Sequence, residues 1–283
     1  MALTKLFTTV SPVAASAPRG GLVASVGLTD DGDSRWVNGM VWRPETCFPA
    51  RTMEVCGDTH QADQGGSDGG LVYYQPFGLH VETVCRNRFN ATADDEARAR
   101  RQLTAASSYL LANELWLGTE TQADTYDTPT GDVGITNAYL ASASANVITG
   151  TPNPIEAIGL LEEAATRAAL GQDVHLHVPR GLMPQFGQIL VQRGQQWYTP
   201  GGALVISDPG YTGSGPAGQA ESPTKVWMYA TAPVQVRLSN IDTFTIHTVA
   251  DNTRTMVAER AGAVTFDPCV HFAIDTTLPG SIT

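Results

Sequence analysis

The segment from Thr92 to Gly118 constrains the fold more than any other, because its start, interior and end all indicate one long α-helix. Thr92 can cap the first turn with its hydroxyl, and acidic residues follow where the positive end of a helix dipole stabilises anions. Gly118 supplies the stop. At 1.5 Å per residue the helix would span roughly 35 to 40 Å. We therefore expect it to brace a flat or elongated body, although the pattern also fits an ordinary core helix.

One face of this predicted helix is apolar. Asp94 with Arg98, and Glu96 with Arg100, are pairs in the order that stabilises a helix. The spacing predicts a helix with one buried stripe. Its apolar members are Ala99, Leu103, Ala106, Leu110, Leu111, Leu115 and Leu117.

The residues before the helix predict an arm, a hairpin and a strand. Residues 1–34 are small and polar with no sustained period, so we expect an extended arm that lies on its own domain or on a neighbouring subunit. In 35–78, two strand-like runs enclose the sequence GDTHQADQGGSDGG, which predicts a long hairpin loop. The sequence FGLHVETVCRNRF then alternates as a strand that leads into the helix.

The chain after the helix predicts an α/β unit followed by strands. Residues 119–151 have a weakly structured composition. Asn153 as cap and Pro154 in the first turn begin a second helix that ends near Gly171. Its expected buried face is Ile155, Ile158, Leu161, Ala165 and Ala168. The strand DVHLHV, a further helix from Leu182 to Arg193, and the strands QQWYT and ALVIS complete the unit, and only strands follow from Thr224.

Charge and hydropathy limit the partners of the chain. Aspartate and glutamate outnumber lysine and arginine by 28 to 17, giving a net charge of -11, so long-range attraction to nucleic acid or anionic lipid is not expected. No run of apolar residues is long enough to span a membrane. Lys5 and Lys225 are the only lysines, and the predominance of arginine favours protein contacts.

Residues that could carry chemistry are few. His175 and His177 fall on one face of a strand, but no further ligand stands at a suitable spacing, so a polar strand face is favoured over a metal site. The glycine-rich segment 210–218 lacks the Lys-Ser/Thr end of a P-loop and is interpreted as a surface loop. Cys269 and His271 are interpreted as structural parts of an apolar strand.

The cysteines show no metal-binding or redox spacing. Cys47, Cys56, Cys85 and Cys269 include no CxxC pair. We expect buried free thiols, with a bridge between Cys47 and Cys56 as the alternative.

Three stretches together resemble the major capsid proteins of tailed phages that infect actinobacteria, a family with the Hong Kong 97 fold. They are RWVNGMVWRPE (35–45), GYTGSGPAGQ followed by VWMYATAPVQVRLSNI (210–241), and AERAGAVTFDPCVHFAID (258–275). The resemblance implies an α+β chain with an N-terminal arm (1–34), an extended hairpin loop (35–78), a peripheral domain with a long spine helix (79–151 and 241–283) and an α/β axial domain (152–240).

The resemblance implies assembly rather than catalysis. Such subunits form hexamers and pentamers that close into an icosahedral shell around double-stranded DNA, without cofactors, metals or membranes. The implied partners are further copies of the chain, a portal protein and scaffolding or decoration proteins, and the implied location is the virion, assembled in the bacterial cytoplasm. We expect interface contacts from Trp42, Tyr73, Tyr74, Arg98 and Arg101, a buried role within the subunit being the alternative for the aromatic residues.

Two departures from the family and three alternatives remain. Because no lysine lies between Lys5 and Lys225, we expect no covalent lysine–asparagine cross-link from the extended loop. The irregular arm has no room for a fused helical scaffold. An encapsulin-like compartment would share the fold, whereas a small hydrolase would use His175, His177 or Cys269. A tail tube or decoration protein would be mostly β, against the two predicted helices between 153 and 194.

Overall fold

The computed structural model describes residues 18–29, 34–44, 71–86, 92–120, 124–128, 131–135, 137–150, 152–219, 224–248 and 253–277. These residues form a mixed α+β fold. Its α-helices are α1 (Leu22–Val26), α2 (Thr92–Leu117) and α3 (Pro154–Ala168), and its 3-10 helices are Ser34–Asn38, Arg180–Phe186 and Pro216–Gly218. Its strands are β1 (Met40–Trp42), β2 (Val72–Tyr74), β3 (Phe77–Arg86), β4 (Asp124–Thr128), β5 (Gly131–Ile135), β6 (Asn146–Val147), β7 (His175–His177), β8 (Val191–Arg193), β9 (Gln196–Tyr198), β10 (Leu204–Ile206), β11 (Lys225–Thr231), β12 (Gln235–Leu238), β13 (Asp242–Thr248), β14 (Thr253–Thr265) and β15 (His271–Thr277).

Helix α2 confirms the central prediction. It runs from Thr92 to Leu117, and Gly118 adopts a φ of 60°, the left-handed conformation that ends a helix at little cost for glycine. The carboxylate of Glu96 lies 3.1 Å from the Arg100 guanidinium, as the spacing predicts. Arg100 also donates to the Ile241 carbonyl at 2.7 Å, which ties the helix to the chain before β13. The predicted cap and the pair of Asp94 with Arg98 involve side chains outside the described set.

A seven-stranded sheet in the order β6-β15-β11-β7-β10-β9-β8 separates two hydrophobic clusters. Alternation along β10 shows the division, because Leu204 and Ile206 join the cluster that contains α2, whereas Val205 joins the cluster beneath α3. The sheet is thus covered on both faces. Strand β15 belongs to the seven-stranded sheet. The boundaries expected from the sequence instead group 241–283 with the peripheral domain, apart from the axial domain (152–240) that supplies most strands of this sheet.

A four-stranded sheet packs on α2 through its strands β3 and β14. Strand β14 is central, with β3 on one side and β12 and β13 in succession on the other. Leu79, Met256 and Ala258 face the cluster that contains Leu103 of the helix. The alternation predicted for β3 is confirmed, since Leu79 and Thr83 are buried while Glu82 is exposed.

Helix α3 follows the predicted capping pattern, with one error on its face. The Asn153 Oδ1 accepts a hydrogen bond from the Glu156 amide at 3.0 Å. Ile158, Leu161 and Ala165 are buried, but Ile155 is exposed and Ala157 takes its place. Pro154 and Ala157 in the same turn are buried, so Ile155 lies on the solvent side of the helical period.

The helix predicted from Leu182 to Arg193 is wrong. The structure has a 3-10 helix over Arg180–Phe186 and then a hairpin of β8 and β9. Gly181, Pro184 and Gly187 explain the difference, because proline removes a backbone donor and glycine disfavours a regular helix. Residues 119–151 are also more regular than predicted, since β4 and β5 pair as an antiparallel hairpin.

The arm is partly regular and lies on its own subunit. Within 18–29, the short helix α1 packs against α2, β9, β10 and β12, and the Thr29 amide donates to the Val236 carbonyl at 2.8 Å. The sequence has too few residues here to show a helical period, so α1 was not predicted. The other arm residues lie outside the described ranges.

Candidate functional site

The base of the predicted hairpin is formed by two short antiparallel strands. Strand β1 pairs with β2, which places Trp42 opposite Val72 and Met40 opposite Tyr74. The pairing confirms that the chain returns on itself here. Residues 45–70, which include the glycine-rich stretch, lie outside the described ranges, as does the proposed bridge between Cys47 and Cys56.

Tyr74 serves the interior of its own subunit. Its side chain is buried, and its hydroxyl accepts a hydrogen bond from the Val264 amide at 3.1 Å. Burial raises its pKa, so the phenol stays neutral. The hydroxyl thereby fixes β2 to β14, which agrees with the alternative of a buried role within the subunit.

A groove of about 700 Å³ lies beside the hairpin base. We call it the hairpin-base groove. Arg35, Arg43 and Arg237 give it basic character, with Asp267 as the carboxylate among its lining residues. Trp36 and Trp42 supply its aromatic surface, and both are partly exposed. A surface that combines arginine with tryptophan is typical of the energetic centre of a protein interface.

The five predicted interface residues do not form one site. Trp42 lies in the hairpin-base groove, Tyr73 is half-buried beside it in β2, and Tyr74 points inward. Arg98 and Arg101 are exposed on α2.

His177 lies in a buried polar cluster whose hydrogen-bond directions follow from its partners. The Thr231 hydroxyl donates to the Ala232 carbonyl at 2.7 Å, so it must accept from the His177 Nε2–H at 2.9 Å. The Nδ1 of His177 is then unprotonated and accepts from the Tyr211 hydroxyl at 2.9 Å. Burial, helped by His175 and His271, holds the pKa of His177 well below its usual value. The ring is neutral and fully used in structure.

The two other histidines of this region are held in the same way. The Nδ1 of His175 accepts from the Val234 amide at 3.0 Å, and the Nε2 of His271 donates to the Leu140 carbonyl at 2.9 Å. Burial lowers the pKa of each to about 4. The prediction that His175 and His177 share one strand face is confirmed. The Nδ1 of His175 and both ring nitrogens of His177 make hydrogen bonds within the subunit.

Cys269 corrects the expectation of free thiols. It lies in the turn before β15, not inside the strand, and its sulfur is in a disulfide. Cys47, Cys56 and Cys85 have side chains outside the described set. A sulfur in a disulfide is not a nucleophile, which removes one residue from the hydrolase alternative.

Asp208 is a buried connector that sequence reasoning missed. Its Oδ2 accepts from the Leu22 amide at 2.9 Å and from the Ser108 hydroxyl at 2.8 Å, while Oδ1 accepts from the Gly210 amide at 3.0 Å. The carboxylate thus joins α1, α2 and the chain after β10. Its partners are far away in the sequence, so the sequence carries no local signal for it.

The glycine-rich segment 210–218 is not the surface loop that was predicted. Tyr211 and Pro216 are buried, and the Ser214 carbonyl accepts from the Trp116 indole at 3.1 Å and from the Tyr229 hydroxyl at 3.0 Å. A Cβ on Gly210 would lie 2.8 Å from the Asn113 amide nitrogen of α2. Gly210 therefore allows the segment to approach α2 closely. The polar, glycine-rich composition of the segment gave no sign of this contact.

The described side chains do not assemble a metal site. Within the described ranges, no group of three or more His, Cys, Asp or Glu is placed to hold an ion. Among the helices that the structure describes, none combines the length and apolar character needed to cross a bilayer.

Comparison with solved structures finds capsid proteins. The chain is similar to the capsid of a native GTA particle, with a TM-score of 0.52 and 9% identity over 98% of this chain and 95% of that chain. It is also similar to the capsid of Ralstonia phage GP4, with a TM-score of 0.51 and 10% identity over 99% of this chain and 97% of that chain. An encapsulin from Synechococcus elongatus matches at a TM-score of 0.46 and 10% identity over 76% of this chain and 79% of that chain.

These likenesses show the fold alone. No family model matches the sequence, and no curated protein matches it. The structural agreement nevertheless covers nearly the whole of this chain and of the two capsid chains. The prediction of a mixed α+β fold like that of phage capsid proteins is therefore confirmed at this level.

Proposed function

We propose that the chain is a major capsid protein whose copies form hexamers and pentamers and close into an icosahedral shell around phage double-stranded DNA. The observation that carries the proposal is the end-to-end fold agreement with two capsid chains, at TM-scores of 0.51 and 0.52. The agreement spans 98 to 99% of this chain and 95 to 97% of the two capsid chains, which is more than a shared core motif alone would give.

The elements of the chain fit the parts of a shell subunit. We assign 1–34 to the N-terminal arm and 35–78 to the extended loop. We assign 79–151 and 241–283 to a peripheral domain with α2 as spine helix, and 152–240 to an axial domain. In this assignment β6 and β15 extend from the peripheral segments into the sheet of the axial domain.

The buried polar groups agree with a structural role. Both ring nitrogens of His177 are hydrogen-bonded to hydroxyl groups, and one nitrogen each of His175 and His271 is hydrogen-bonded to a backbone group. The sulfur of Cys269 is in a disulfide. The surface, by contrast, offers arginine and tryptophan beside the hairpin. The net charge of -11 would keep packaged DNA from adhering to the wall.

Sedimentation of the purified protein after nuclease treatment tests assembly. The proposal predicts a fast-sedimenting species of uniform size besides free capsomers, since many modest contacts add up in a closed shell. A single slow species at every protein concentration and in the presence of lysate from the phage-producing host would contradict it. Nuclease-protected DNA in particles from infected cells separates the phage shell from the compartment alternative.

A further inference from the structure

The outer face of the four-stranded sheet exposes large apolar side chains. Phe244 is 43% exposed, Ile246 is 46% exposed and Val84 is 58% exposed. The strand register aligns them, because Ile246 lies opposite Thr255 and Thr255 opposite Val84, with Phe244 opposite Val257 in the next row. Directly opposed residues share a face of the sheet. An apolar band therefore crosses the sheet, with exposed side chains on β13 and β3 and with Thr255 and the buried Val257 of β14 between them.

Acidic residues border this band. Asp242 lies opposite Glu259, and Glu82 lies opposite Val257, so three exposed carboxylates follow the apolar rows. The guanidinium of Arg260, which donates to the Ser239 carbonyl at 2.9 Å through Nε, also lines this region, so three carboxylates stand against one guanidinium. We call this surface the outer sheet face, defined by Glu82, Val84, Asp242, Phe244, Ile246, Val257 and Glu259.

A partner for this surface must combine apolar area with positive charge. Pairing of the outer sheet face with its own copy would bring its carboxylates together, and like charges in contact disfavour association. The hairpin-base groove offers the complement, since Arg35, Arg43 and Arg237 accompany its two tryptophans. The whole chain has a net charge of -11, so a groove in which arginine outnumbers acidic residues differs from the average surface of this chain.

We propose that the outer sheet face of one subunit docks on the hairpin-base groove of a second copy of the chain. The apolar band covers the partly exposed indoles of Trp36 and Trp42, and the carboxylates of the sheet face the arginines of the groove. This inference rests on the proposed shell function, for which it names one subunit contact.

Charge reversal tests the pairing. Glu259→Arg and Arg43→Glu should each lower the fraction of protein in particles at least tenfold, because each opposes like charges across the contact. The double variant restores opposite charges and should regain at least half of the wild-type yield. Glu163→Arg, the same change on an exposed acidic residue of α3, is the matched control and should assemble like the wild type. Circular dichroism of each variant confirms folding before assembly is scored.

Radical footprinting supplies a measurement without variants. Phe244 and Trp42 should be at least fivefold less oxidised in particles than in dissociated subunits, while Ile155, exposed on α3, serves as reference. Assembly of both single variants at wild-type yield, or equal oxidation of Phe244 in particles and subunits, would overturn the docking. Failure of the wild-type protein to assemble at all would instead overturn the shell function itself.

Discussion

The Asp208 carboxylate accepts a hydrogen bond from the Ser108 hydroxyl at 2.8 Å, deep between the long helix and the chain that follows β10. The same oxygen accepts from the Leu22 amide at the start of α1. One buried side chain thus connects three parts of the subunit and helps to hold the arm segment 18–29 in place. This connection gives the first prediction.

Replacement of Asp208 by alanine should lower the free energy of unfolding by about 3 kcal/mol, because two amides and one hydroxyl lose their acceptor in a buried place. Chemical denaturation of the subunit measures it. Glu163→Ala removes an exposed carboxylate on α3 together with its surface ion pair to Arg167, and should change the value by less than about 0.5 kcal/mol. Equal stability of the Asp208 variant and the wild type would refute the role of this carboxylate.

Replacement of Gly210 by alanine should destabilise the subunit by about 2 to 3 kcal/mol, because the added Cβ would meet the backbone of α2 and push the segment off the helix. Gly159→Ala is the control with the opposite sign. Nothing lies within 4 Å of a Cβ at that helical position, so a gain of about 0.5 to 1 kcal/mol is expected. Thermal unfolding of both variants decides the matter, and a tolerated Gly210→Ala change would contradict the close approach.

Loss of the Tyr211 hydroxyl should cost about 1 to 2 kcal/mol, since Tyr211→Phe leaves the buried Nδ1 of His177 without a donor. The phenyl ring keeps its contact with Trp116, so packing is preserved. Denaturant unfolding gives the size of the effect. Tyr109→Phe, at an exposed tyrosine of α2, is the matched control, and an equal effect in both variants would exclude the deduced hydrogen bond.

The buried histidines predict a loss of stability in mild acid. The unfolded chain protonates these residues below about pH 6.5, whereas His175 and His271 in the folded chain resist protonation until about pH 4. The unfolded state therefore binds more protons between these values, and the melting temperature should fall as the pH drops from 6.5 to 4.

A non-titrating substitution identifies the source of that acid sensitivity. His271→Gln can keep a donor to the Leu140 carbonyl, and its melting temperature should fall less between pH 6.5 and 4.5 than that of the wild type. The exposed His247→Gln variant is the control. An unchanged pH dependence in His271→Gln would assign the sensitivity to other groups.

Elements with a local signal were predictable from the sequence. The stripe and the terminal glycine of α2 lie within one segment. The Asn153 cap of α3 and the alternation of β3 are local in the same way. One failure also had a local cause. The 3-10 helix over Arg180–Phe186 is set by Gly181 and Pro184 within an apolar pattern that resembles a helix.

The connections within the subunit were the least predictable. Asp208 meets Leu22 and Ser108 across 186 and 100 residues, and no spacing rule reaches so far. Gly210 looked like a loop residue because its closeness to α2 leaves no mark in the sequence. Tyr74 and Trp42 stand near each other on paired strands, but only the structure separates the buried phenol from the exposed indole.

Particles should release single subunits in denaturing gels. No lysine lies between Lys5 and Lys225, and Lys225 itself is paired with Asp275 at 2.9 Å, so the hairpin offers no lysine for a covalent bond to a neighbour. Electrophoresis of reduced particles should give one band at the monomer mass of 30.0 kDa. Ladders of linked subunits would contradict this prediction.

Negative-stain electron microscopy of the purified protein, or of the particle that contains it, shows at once whether the subunits assemble. We expect closed, uniform shells tens of nanometres across, built of ring-shaped capsomers. Fields of monomers or dimers, without rings or shells under any condition that supports phage growth, would contradict it.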